Sequence, residues 1–378
     1  MSLLPHPSRR ITGGVVLLGL LGATLATLAL VDVSPGHSVA QRAGPRTGPG
    51  RRLAAGPVGA ASSPIGLRLL REAAAAGVDT SYQGVQVVAW SGPHGATISV
   101  VQVWHERDRS ILAQVTDMGS APSTAPPQAP AAGEQDPDGI LGLSDQLVAL
   151  IRANYVVVYA GRGSSDDRPA QIVDLRRRNG SLAARFWLDD ATRLPLRRET
   201  FDSRAHMISE DAFINLQIGD SGLRDMPVPG VRAWSARLDS AQLGALRAQG
   251  WPVPGQLPDG LLLVAAHQAV TSAGPVIDLD YSDGLSLVSV FLQRGQLPQA
   301  LPGWQQIRLH GGAVYSTDPD WRSLTWSARG FVYTVIAEAP PGTIDQVIDS
   351  LPHDAGPGFW GRIARGTRRL ASWANPFR

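Results

Sequence analysis

The sequence predicts an α+β protein of antiparallel type, with an N-terminal apolar helix followed by two strand-rich units that carry short helices. Three observations predict this. A charge-free apolar run lies near the start, short β-branched and aromatic runs alternate with turn residues, and a Gly/Pro-rich break interrupts the chain at residues 219–235. A length of 378 residues suits about two domains.

The apolar run comes first. From Ile11 to Val31 no residue is charged, and a helix of that length matches the hydrocarbon core of a bilayer. Arg9 and Arg10 precede it and Asp32 is the first charge after it. The positive-inside bias therefore leaves residues 1–10 in the cytoplasm and the rest outside. A cleaved signal peptide is the alternative, with Ser38-Val39-Ala40 as a small-x-small site. Either way the bulk of the chain is expected to work outside the cytoplasm, in a cell membrane as a single-pass protein or exported after cleavage. ATP, NAD and chromosomal DNA are then excluded as partners.

Residues 32–63 are rich in Gly, Pro, Ala and Arg and read as a disordered linker. The first unit is expected over 64–218. A short helix at 65–76 ends at Gly77, and β-runs follow at Val85–Trp90 and Thr97–Trp104, where Ile98, Val100 and Trp104 share a face. Residues 119–139 are low in complexity and read as a disordered insertion. Ser144 is placed to cap a helix carrying Leu147, Leu150 and Ile151. Five further strands are predicted between Tyr155 and Ile218. In one of them Leu182, Ala184, Phe186 and Leu188 oppose Arg185 and Trp187.

After the linker at 219–235, a second unit spans 236–353. It has a helix at Ser240–Ala248, seven strand runs between Leu261 and Ala337, and a closing helix for which Thr343 and Gln346 form a predicted capping box. Residues 354–378 differ in kind. Phe359, Ile363, Leu370, Trp373 and Phe377 can share a helical face, four arginines lie between them, and no acid follows Asp354. Such a basic amphipathic tail suits an anionic membrane surface; the alternatives are a terminal helix packed on its own domain and a tail without fixed structure.

Composition excludes much chemistry. The 34 basic residues, all arginine, nearly balance 32 acidic ones, which leaves no nucleic-acid footprint. The absence of cysteine rules out disulfides, thiolate nucleophiles and cysteine metal sites. No nucleophile elbow, zinc-protease motif or phosphate loop occurs, and the eight histidines are scattered. Asp166-Asp167 and Asp189-Asp190 read as turn formers. No catalytic residue, metal ligand or cofactor site is expected, and the chain reads as a binding protein, not an enzyme. The ten tryptophans either fill cores or line a recognition face.

Three blocks carry a family resemblance. They are Tyr82-Gln83-Gly84-Val85; Ala160-Gly161-Arg162 with Arg185-Phe186-Trp187-Leu188-Asp189, Thr192 and Leu194-Pro195-Leu196-Arg197-Arg198-Glu199; and Tyr281-Ser282-Asp283-Gly284-Leu285 through Phe291, followed by Glu338-Ala339-Pro340-Pro341-Gly342-Thr343. In this order they resemble the MucB/RseB family of extracytoplasmic sigma-factor regulators, whose first domain is similar to the lipoprotein carriers LolA and LppX. The resemblance implies an antiparallel half-barrel wrapped around helices, joined to a smaller α+β domain. It also implies a partner, the extracytoplasmic part of an anti-sigma factor, shielded from proteolysis until an envelope signal such as a lipid releases it. The alternative it leaves open is a carrier of lipid or lipoprotein acyl chains. The candidate motif positions are Tyr82, Gly84, Trp187, Asp189, Tyr281, Ser282, Asp283, Gly284 and Phe291, with Ile11 and Val31 bounding the anchor. The apparent anchor, the Pro-rich insertion and the basic tail depart from the family pattern.

Overall fold

The computed structural model describes residues 61–92, 95–106, 109–117, 134–135, 143–219, 237–271, 273–298, 301, 303–309, 312–316 and 322–353. The expected anchor between Ile11 and Val31, the linkers at 32–60 and 220–235, and the tail at 354–378 lie outside them. No helix among the described residues is long and apolar enough to cross a membrane. The described chain forms two compact units. One lies within Gly19–Arg232 and also takes in Asp283–Leu285; the other lies within Ala233–Ser282 and Ser286–Arg378.

The first unit begins with helix α1 (Pro64–Asp79), started by Pro64 and by the Ser63 hydroxyl, which accepts from the Gly66 amide at 3.3 Å. It runs two residues past the expected Gly77 stop. Strands β1 (Tyr82–Gly92), β2 (Gly95–Glu106), β3 (Arg109–Asp117) and the two-residue β4 (Glu134–Gln135) follow. Two corrections arise here. Sequence reading missed β3, and Glu134–Gln135, inside the stretch expected to be disordered, pair with it. Helix α2 (Asp145–Asn154) is capped by Ser144 as expected, at 3.3 Å to the Leu147 amide. Strands β5 (Val156–Ser165), β6 (Arg168–Arg176), β7 (Leu182–Asp189), β8 (Pro195–Phe201) and β9 (Met207–Ile218) complete the unit. All pair antiparallel in the order β4-β3-β2-β1-β9-β8-β7-β6-β5.

Register divides this sheet into two faces. On the inner face Val173, Leu175, Ala184, Phe186 and Leu188 bury against Leu69, Leu70 and Ala73 of α1 and Val148 and Ile151 of α2. A neighbouring cluster joins Tyr82, Val101, Val103, Phe213 and Leu216. Thus β2 buries Val101 and Val103, and the run Ile98, Val100 and Trp104 looks outward.

The second unit holds helix α3 (Ser240–Ala248), seven antiparallel strands and helix α4 (Pro341–Ser350). The strands are β10 (Leu262–Thr271), β11 (Gly274–Ser282), β12 (Leu287–Arg294), β13 (Gln305–Leu309), β14 (Gly312–Ser316), β15 (Ser323–Ala328) and β16 (Phe331–Glu338), ordered β10-β11-β12-β16-β15-β14-β13. Leu246, Trp251, Ile344, Val347 and Ile348 pack on one face of that sheet over Ile277, Leu279, Tyr281, Val290 and Trp326. The capping box assigned to α4 is corrected. Its N-cap is Pro340, with no side-chain cap, and Thr343 and Gln346 instead donate to Asp259 at 2.8 and 3.0 Å. The reciprocal box belongs to α3, where Asp239 and Gln242 bond each other's backbone amides at 2.8 Å.

Candidate binding site

The motif residues mostly build the scaffold. Tyr82 is buried on the inner face of β1, stacked on His105 at 4.9 Å and edge-on to Phe213 at 5.8 Å. Burial pushes its hydroxyl up to about 12 and holds His105 below the usual histidine range. Gly84, next on the same face, leaves room for β9, since a Cβ there would stand 2.5 Å from the Asn215 carbonyl oxygen and 3.0 Å from the Phe213 ring.

Asp189 organises the corner between β7 and β8. Its carboxylate accepts from the Arg168 guanidinium at 2.8 Å, from the Ala191 and Thr192 amides at 3.0 and 2.8 Å, and from the Thr192 hydroxyl at 3.1 Å. These bonds outweigh burial and hold it below the ordinary carboxylate range. The Asp-x-x-Thr spacing is therefore a turn device, as the sequence suggested.

The Ser-Asp-Gly block is a tight loop. The Ser282 hydroxyl donates to the Ser286 carbonyl at 2.7 Å, and the Leu285 amide donates to Asp283 at 2.9 Å. Asp283, counted with the first unit, accepts from the Tyr155 hydroxyl at 2.5 Å, and its carbonyl accepts from Asn154 at 2.9 Å. Gly284 has φ +101°, and a Cβ there would stand 2.6 Å from the Ile151 amide nitrogen. Tyr281 is a core residue whose hydroxyl donates to the Pro254 carbonyl at 2.8 Å, and burial raises its pKa. Phe291 lies on the opposite face of β12 and is buried.

The outer face of the first sheet presents a continuous array of outward side chains. Cross-strand register gives the rows Trp187–Arg197–Ala212–Val87–Val100 and Arg185–Glu199–Glu210–Ala89–Ile98. At the β7–β8 end the face is ionic. Arg185 binds Asp174 through two nitrogens at 2.6 and 3.0 Å, and Arg197 bridges Glu199 and Glu210. The Arg197 and Arg185 guanidinium carbons lie 4.8 and 5.8 Å from the Trp187 ring centroid, so cations cover that indole. Burial raises Glu199 despite Arg197 beside it. Toward β1 and β2 the face turns apolar: Val85, Val87, Ala89, Val100 and Trp104 are half-buried and Ile98 is 42% exposed. A solvated sheet face normally carries polar residues, so an apolar strip here is informative.

The rest of the polar inventory is committed to structure. Asp166 and Asp167 form the β5–β6 turn with φ of 49° and 58°, and no group of metal-ligand type occurs among the described residues. Of the seven tryptophans within 64–218 and 236–353, four are buried (Trp90, Trp187, Trp251, Trp326), Trp104 and Trp304 are half-buried, and Trp321 lies outside the described residues. Sequence reading missed Gln86. It is fully buried on the inner face of β1, and neither amide atom has a hydrogen-bond partner among the described residues. Its signal was a lone amide between apolar neighbours on one face of a strand. An orphaned amide costs about 1–3 kcal/mol, so Gln86→Met is expected to raise the urea midpoint. A lowered midpoint would mean that the amide is satisfied.

Together these features define a protein of two antiparallel sheets with few helices among the described residues, whose polar groups hold strands and turns and whose first sheet carries an apolar strip on its outer face. Residues 114–237, about a third of the chain, match the family model of the MucB/RseB N-terminal domain, and the chain's resemblance to that family is thereby shown. No curated protein matches. A solved MucB structure is 21% identical, covering 78% of this chain and all of that one, with a TM-score of 0.47. A Pseudomonas aeruginosa MucA/MucB complex is 23% identical over 77% of this chain and all of that one (TM-score 0.42). A LolA superfamily protein from Nitrosomonas europaea is 14% identical over 43% of this chain and 94% of that one (TM-score 0.18).

Proposed function

We propose that this chain is an extracytoplasmic regulator that binds the outer segment of an anti-sigma factor and modulates its proteolysis in envelope-stress signalling. The observation that carries this reading is the outward apolar strip around Val87, Ile98, Val100 and Trp104, in the sheet whose strands β5 to β9 fall within the residues that match the MucB/RseB N-terminal domain. A polypeptide laid on that strip would remove exposed apolar area at roughly 25 cal/mol per Å². It would find at Trp104 the kind of aromatic anchor that dominates interfaces. The ionic ladder beside it, from Asp174 to Glu210, would give orientation.

In the same reading the first unit is a half-barrel wrapped around α1 and α2, and residues 11–31 tether the chain to the membrane. Tyr82, Gly84, Asp189, Tyr281, Ser282, Asp283 and Gly284 hold the scaffold, and Trp187 stiffens the rim of the strip. A bound partner segment is covered, and a covered segment is a poor protease substrate.

The test is affinity for the extracytoplasmic segment of a MucA-type anti-sigma factor, measured by calorimetry. Val100→Asp with Trp104→Asp is expected to weaken binding at least tenfold while circular dichroism is unchanged. Equal affinity in the double variant, or no binding by the parent chain, would sink the proposal.

A further inference from the structure

The ionic ladder on the outer face of the first sheet is lopsided. Toward β6 two guanidiniums serve one carboxylate: Arg185 reaches Asp174 at 2.6 and 3.0 Å, and Arg176 reaches it at 3.3 Å. Toward β9 the ratio inverts. Glu199 of β8 and Glu210 of β9 stand directly across from one another. They share the Arg197 Nη2, at 2.5 and 2.9 Å. Among the described residues the Glu210 carboxylate has no other partner. Arg197 lies over the Trp187 ring, and Arg185, which faces Glu199 across the strands, is taken by Asp174. Burial raises the Glu199 carboxyl, and repulsion from Glu210 adds to that.

The acidic end of the ladder abuts the apolar strip. Register carries Glu210 through Ala89 to Ile98, and the next row carries Ala212 through Val87 to Val100. Glu210 is 27% exposed, so water offsets the shortage of positive charge there. A segment laid over Ile98 and Val100 would exclude that water. Two carboxylates with one cation between them are costly in a dry site. A basic side chain from the segment supplies the missing counter-ion, whereas an acidic one adds repulsion. Reach is no obstacle. Ile98 stands two strand spacings from Glu210, about 10 Å, which an extended segment spans in about three residues.

We propose that the partner segment taken by the outer strip is basic as well as apolar, a Lys or Arg side chain meeting Glu210 while apolar side chains cover Ile98, Val100 and Trp104. This rests on the strip being the binding face, and it makes Glu210 the residue that selects for a cation.

The probe is the extracytoplasmic segment of a MucA-type anti-sigma factor, with a set of variants in which each Lys or Arg is replaced in turn by Glu. Against the full chain, Glu210→Gln is expected to weaken binding of the unaltered segment at least fivefold at about 50 mM NaCl and under twofold at about 500 mM, where salt screens the pair. Glu210→Lys should weaken it further, and one of the Glu-substituted segments should regain at least tenfold on that variant. Should Glu210→Lys misfold by circular dichroism, Glu210→Gln, which leaves Arg197 to Glu199, carries the test through its salt series. Equal affinity of the parent and Glu210→Gln, with Val100→Asp and Trp104→Asp still disrupting binding, would overturn this inference and leave the binding face standing. Binding that survives the strip variant, or no binding by the parent, would remove both. Self-association of the parent that the strip variant abolishes, read by sedimentation, would assign the strip to a second copy and overturn the inference too.

Discussion

Replacing Gly284 with alanine is expected to destabilise the first unit by about 3 kcal/mol or more. Two costs add. A φ of +101° is a conformation L side chains rarely adopt, worth about 1–2 kcal/mol. The new Cβ would also stand 2.6 Å from the Ile151 amide nitrogen and 3.0 Å from the Leu147 carbonyl oxygen. Both are backbone atoms of α2, which cannot swing away as a side-chain tip can, and overpacking of this kind costs about 1–3 kcal/mol more. Gly161 is a close control. Its φ is +100°, and nothing lies within 4 Å of its virtual Cβ. Gly161→Ala should therefore lose only the backbone part. Urea unfolding of both variants separates the two costs, and equal losses would show that the contact with α2 is not tight.

How much of this was legible beforehand follows from which forces leave a local trace. The antiparallel class, the Ser144 cap and the two faces of β7 were readable because alternation and capping are written within a few residues. The Asp189 corner was readable too, since an Asx turn is satisfied inside its own loop. The capping box at Thr343 and Gln346 fails for the opposite reason. Its spacing is correct, but Asp259, 84 residues earlier in the chain, takes both donors. The shared face of Ile98, Val100 and Trp104 was visible, but its outward direction was not. Val101 and Val103 are equally apolar, and only packing against the inner cluster decides which set is covered. Gly284 stood out as a motif, yet the reason for it lies in Leu147 and Ile151, far away in sequence. The anchor between Ile11 and Val31 and the tail remain statements about sequence alone, because both lie outside the described residues.

Breaking the Arg198–Asp211 pair is expected to cost about 3–5 kcal/mol. It sits where the inner face changes character, between Phe186 of β7 and Val88 of β1, in a row fixed by strand register. Arg198 reaches Asp211 through two nitrogens at 2.9 and 2.6 Å, with the side chains only 14% and 6% exposed. Little solvent screens the charges, and the neighbouring Thr200 and Ser209 hydroxyls, 2.6 Å apart, satisfy one another. Asp211→Ala takes away the carboxylate that two guanidinium nitrogens reach, so much of the desolvation cost falls on the folded state. Arg198→Met combined with Asp211→Leu removes both charges and should recover most of the loss, because the pair's attraction barely exceeds the cost of burying it. The exposed Arg68–Glu72 pair, 64% and 39% open to solvent, sets the contrast: Arg68→Ala there should cost under about 1 kcal/mol. Chemical unfolding of the three variants compares the buried pair with the exposed one directly. An Asp211→Ala loss no larger than that of Arg68→Ala would mean that water reaches the inner face, and the sheet could not then shield its interior as the proposed half-barrel would.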